Sequence, residues 1–173
     1  MIEGMTSRLR GLFGGRRKKE DPLLAMASRF MSALPVLTHA HAKDRLTLLR
    51  LVYLAETLHV RRHGRPITED AIEATNYGPM HPRLMAELRK GFRGGEDEAI
   101  LDERAIACID DTISEKSSLG HAQLGALVHM GAWKKRYDAS RSGTDAERGA
   151  RITTADMLAQ IREDEATSRK EKR

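Results

Sequence analysis

The stretch Leu46-Thr-Leu-Leu-Arg-Leu-Val-Tyr-Leu-Ala55 is the strongest constraint on how this chain folds. Wound as a helix, it is apolar around most of its circumference. A helix with a single apolar stripe needs one neighbour, whereas one that is apolar on most sides has to be surrounded. The segment Asp44 to Arg62 is therefore predicted as a central helix. Gly64 is placed to end it, and Pro66 bars its continuation.

What surrounds it is also expected to be helical. Aromatic residues are only 4% of the 173 residues, so the core has to come from Leu, Ile, Val, Ala and Met. That mixture favours helices over a sandwich or barrel. Asp21-Pro22 reads as an N-cap followed by proline at the first helical position, opening a helix through Leu34 that stops near Pro35. Pro82 opens a helix to Lys90, Asp102 caps one over Glu103 to Glu115, Ser118 or Gly120 opens another, and Thr153 caps the last. A short strand is predicted at Ile72 to Asn76, with Ala99 to Leu101 as its partner, and Tyr77-Gly78-Pro79 as a turn. The expected fold is mainly α: a compact helical domain around a central apolar helix, with one short two-strand β element. The domain spans residues 21–161, between a basic arm (1–20) and a charged C-terminal tail (162–173).

The net charge of +5 sits in the ends. Residues 1–20 carry six Lys/Arg against two Glu, and residues 162–173 five basic against four acidic. Residues 21–161 are neutral, with nineteen of each sign. A single cysteine, Cys108, excludes an intramolecular disulfide and a thiolate cluster, and points to a reducing compartment. No apolar run approaches the ~20 residues that span a bilayer. The expected location is the cytoplasm.

The candidate chemistry is sparse. His59 and His63 are four apart, a spacing that can put two metal ligands on one helical face, but no Glu follows His59 as in zinc proteases. Cys108 has apolar neighbours, which suits an inert buried thiol. Asp110-Asp111 would point to different sides of a helix. No phosphate loop or nucleophile elbow is present, so the chain is expected to be no enzyme, with no metal and no cofactor. Tyr77, Gly78 and Pro79 most simply make a tight turn, with added contact to a partner as the alternative. His129 and Trp133, four apart, would stack along one face if a helix continues through Gly131. Arg16, Arg17, Lys18 and Lys19 form the best case for a tail contact, including secondary contact with nucleic acid. At a salt slope of about −0.9 per phosphate, four such contacts bind weakly.

Several of these segments recur together in one known family. The series Leu49-Arg50-Leu51-Val52-Tyr53-Leu54-Ala55, Gly64-Arg65-Pro66-Ile67-Thr68 and Tyr77-Gly78-Pro79 resembles the Panacea domain. The resemblance continues with Leu101-Asp102-Glu103, Ile109-Asp110, Leu124 through Leu127-Val128-His129 to Trp133, and Ile152-Thr153-Thr154-Ala155-Asp156. It covers residues 43–160, in order. It departs at Val128, where the family pattern has Thr before the His, in the Gly-rich stretch 91–98, and in the long basic arm. The resemblance implies a mainly helical antitoxin that binds a cognate protein toxin. Its SocA-like branch implies a proteolytic adaptor that presents the toxin to ClpX in the ClpXP protease. Other members are similar to phage-associated proteins or neutralise a toxin by direct binding. A DNA-binding regulator using the basic arm is the competing reading, and a histidine-based metalloenzyme a weaker one.

Overall fold

The apolar central segment folds as a 22-residue helix, α2 (Ala42–His63), and the rest of the chain is arranged around it. The computed structural model describes residues 21–37, 40–142 and 150–171. Gly64 ends α2 in the left-handed conformation (φ 73°), donating its N–H to the Val60 carbonyl. Before it lies α1 (Pro22–Ala33), whose N-cap Asp21 accepts the Leu24 N–H at 3.1 Å, as the Asp-Pro signal predicts. After it come β1 (Ile72–Thr75), β2 (Gly78–Met80) and α3 (Pro82–Arg89). A 3₁₀ turn at Glu98–Ile100 leads to α4 (Glu103–Lys116), capped by Asp102, whose carboxylate accepts the Ala105 N–H. The chain continues with α5 (His121–Val128), α6 (Gly131–Ser142), β3 (Ala150–Ile152) and α7 (Thr154–Glu171).

α2 touches α1, α3, α4, α5, α7 and β2, which is why its sequence is apolar on so many sides. It divides two hydrophobic clusters. Leu48, Leu49, Leu51, Val52 and Ala55 join Leu23, Met26 and Phe30 of α1, Leu84 and Leu88 of α3, Ile109 of α4 and Leu124 of α5. Tyr53 and Val60 face the second cluster, with Ile72, Ala74, Val128, Ala132, Ile152, Met157 and Ile161.

Two expectations about strands need correcting. The β element has three strands, in order β2-β1-β3 and all antiparallel. The partner expected at Ala99 to Leu101 is instead the 3₁₀ turn, tied by the Leu101 N–H to the Glu98 carbonyl. The true partners of β1 are β2, with Thr75 opposite Gly78, and β3, with Ile72 opposite Ile152. The turn is also shifted. Asn76 and Tyr77 make the reversal, while Gly78 and Pro79 already belong to β2. Residues 162–171, assigned by charge to a tail, continue α7 as an exposed helix. The basic cluster Arg16, Arg17, Lys18 and Lys19 lies outside the described residues.

Candidate functional site

The β1–β2 reversal is held by the Thr75 hydroxyl, which donates to the Gly78 carbonyl at 2.9 Å and accepts the Tyr77 N–H at 3.2 Å. No residue other than glycine has positive φ among the described residues, so Gly78 (φ 112°) absorbs the left-handed step. Tyr77 is thereby held outward, 62% exposed, while Gly78 and Pro79 are buried.

The two sequence candidates meet here. A Cβ on Gly78 would stand 3.1 Å from His129 Nε2, so the missing side chain is what lets α5 close on the hairpin. His129 and Trp133 lie with ring centroids 4.5 Å apart, and Trp133 stacks on Tyr137 at 4.7 Å. Gly131 (φ 55°) is where one helix ends and the next starts, yet the four-residue spacing still brings the two rings together. Trp133 Nε1 donates to the Thr75 carbonyl at 3.0 Å, and the Tyr137 hydroxyl donates to Asn76 Oδ1 at 2.9 Å. Arg141 covers the outer Tyr137 ring. An aromatic ladder on α6 thus braces the hairpin, with both polar tips spent on it.

Beneath the hairpin lies a residue that sequence reading passed over. Arg50, on the central helix, is 6% exposed. Its guanidinium donates to the His121 carbonyl at 2.8 Å and to the Tyr77 carbonyl at 3.3 Å, and touches the His121 ring. Gly125 of α5 lies against it, where a Cβ would be 3.4 Å from Nη1. Burial, and then the charge of Arg50, hold the His121 and His129 imidazoles below their usual range. Both rings are neutral at pH 7. The only sequence signal for Arg50 was a cation inside an otherwise apolar run.

The other candidates lie elsewhere. His59 is buried, donates from Nδ1 to the Arg65 carbonyl at 2.7 Å and packs on His63 at 4.6 Å. Among the described residues no group of three or more His, Cys, Asp or Glu is arranged to hold a metal ion. Cys108 is fully buried, and burial pushes its thiol up. Asp110 and Asp111 pair with different arginines, Arg29 and Arg62. A groove of about 360 Å³ runs past Leu54, Leu58, Val128 and Ala132, with Leu127 and Met130 exposed at its edge. No described helix is long and apolar enough to cross a membrane.

The Tyr77 face therefore offers an exposed ring on a rigid support, backed by a buried cation, with no assembled nucleophile or base. A family model, described as antitoxin SocA-like, Panacea domain, matches residues 48–134. The match takes in Arg50, Tyr77, Gly78, His129 and Trp133. No curated protein and no solved structure matches the chain.

Proposed function

The chain belongs to the SocA-like, Panacea-domain antitoxin family, and from that premise we propose that it binds a cognate protein toxin on the Tyr77 face and delivers it to the ClpXP protease. The observation that carries the binding site is the exposed Tyr77 ring, held by a hairpin that Thr75, Trp133 and Tyr137 brace. A large side chain presented this way loses little freedom on binding, which is what makes tyrosine an effective anchor. Delivery to a protease rests on the family resemblance: an adaptor holds its substrate while leaving it fit to be unfolded.

A pulse-chase of the cognate toxin, to be identified as a neighbouring gene product that is toxic when expressed alone, separates the mechanisms. Under the adaptor reading, its lifetime shortens only when this chain and ClpXP are both present, and Tyr77→Ala abolishes the shortening. Relief of toxicity with an unchanged lifetime would replace the adaptor by a stoichiometric inhibitor. If Tyr77→Ala, still folded, shortens the lifetime as the natural chain does, the toxin is held elsewhere.

A further inference from the structure

Arg50 is a cation that the fold buries without an anion. Other arginines of the body are matched to carboxylates, among them Arg29 to Glu98 and Asp110, Arg83 to Asp21 and Asp70, and Arg136 to Asp156. Arg50 is more buried than any of these three, yet it has only neutral acceptors, the His121 and Tyr77 carbonyls and the His121 ring. Its Nε is buried with no partner at all. Burial holds the group below its usual range. A guanidinium in this state gains more from an incoming anion than an exposed one does, because its hydration is already lost. Its longest bond, 3.3 Å, is to the carbonyl of Tyr77, the residue whose ring is exposed.

We propose that Arg50 is the receptor for a carboxylate side chain of the bound protein, entering beside Tyr77, so that the partner is selected for an acidic residue next to an apolar one. The proposal rests on the reading that the Tyr77 face holds the toxin. The carboxylate replaces the long carbonyl contact with a charge-assisted bond, and the adjoining apolar residue lies on the Tyr77 ring. A protein carboxylate fits better than nucleic acid. One guanidinium reads one anion, whereas duplex binding takes several phosphate contacts, and residues 21–161 carry nineteen acidic and nineteen basic groups.

The test titrates the purified toxin, the neighbouring gene product found toxic when expressed alone, into the full chain, using the natural protein, Arg50→Met and Tyr77→Ala, each first checked for folding by circular dichroism. Arg50→Met is expected to weaken binding at least tenfold and to flatten its salt dependence. Natural affinity for Arg50→Met together with lost affinity for Tyr77→Ala overturns the carboxylate receptor and leaves the face standing. Natural affinity for both overturns the face as well. Should Arg50→Met not fold, the toxin is varied instead, its exposed Asp and Glu replaced one at a time by Asn and Gln. One replacement is expected to cost at least tenfold in affinity for the natural chain; if none does, the proposal fails. Binding to duplex DNA that depends on Arg50 would likewise overturn it in favour of phosphate.

Discussion

At the scale of single residues, the hairpin depends on Gly78 for two separate reasons. Its φ of 112° lies where an L side chain is strained, and a Cβ there would press on His129 Nε2 at 3.1 Å. Gly78→Ala is expected to lower stability by roughly 2 kcal/mol, or about 4–8 °C in Tm for a chain of this size. Tyr77→Ala, at an exposed position, should leave Tm nearly unchanged. Thermal melts of the two variants therefore separate the residue that builds the hairpin from the residue the hairpin presents. An unchanged Tm for Gly78→Ala would mean that the reversal has another conformation open to it. The sequence placed Tyr77, Gly78 and Pro79 in one turn because each has a local signature. That Gly78 serves His129 was not legible, since it depends on how α5 closes on the sheet.

Between elements, Glu56 of α2 and His81 at the start of α3 are buried side by side, with Oε1 and Nε2 4.0 Å apart. Glu56 accepts the Ile67 and Thr68 N–H groups and so holds the chain leaving α2. Burial raises its carboxyl from 4.5 to about 7 against those bonds, and burial lowers His81 from 6.5 to about 4. A raised carboxyl gives stability that is fully present below about pH 4.5 and lost as pH rises through about 7. A lowered imidazole gives stability that is fully present above about pH 6.5 and lost as pH falls through about 4. Between about pH 4.5 and 6.5 the folded pair keeps one proton on Glu56 and the unfolded pair keeps one on His81, so the two slopes cancel. Glu56→Gln should leave stability rising with pH across that window, relative to the natural protein. His81→Gln should leave it falling. Each slope amounts to at most roughly 3 kcal/mol. Denaturant midpoints at several pH values check this, and parallel curves for all three proteins would mean that the pair titrates normally.

The same contrast explains what was legible in the elements. The ends of α1, α2 and α4 follow from Asp21-Pro22, Gly64 and Asp102, whose capping bonds reach no more than four residues along the chain. The third strand was missed because Ile72 pairs with Ile152 across most of the fold, and no local pattern encodes that choice. Arg50 was missed for a related reason. Its burial depends on Gly125, His121 and the Tyr77 carbonyl arriving from two distant segments.

At the scale of the whole molecule, an adaptor needs two surfaces, and charge and topology divide the chain in two. The Tyr77 face is made by β1, β2, α5 and α6, with Arg50 of α2 behind it. α1, which follows residues 1–20, packs instead on α2, α4 and the 3₁₀ turn. The basic arm precedes Asp21, whose carboxylate pairs with Arg83 of α3. It holds a surplus of four positive charges beside a neutral body, six Lys/Arg against two Glu. Removing residues 1–20 spares Asp21 and the α1 cap, so the fold should persist with an unchanged Tm. The expected result is that the shortened chain still binds the toxin with natural affinity but no longer shortens its lifetime in cells with ClpXP. Loss of toxin affinity would place the arm in the toxin interface instead. Turnover as fast as with the full chain would show that the protease is met by the folded body, and the exposed groove beside Leu127 and Met130 would then be the next surface to vary.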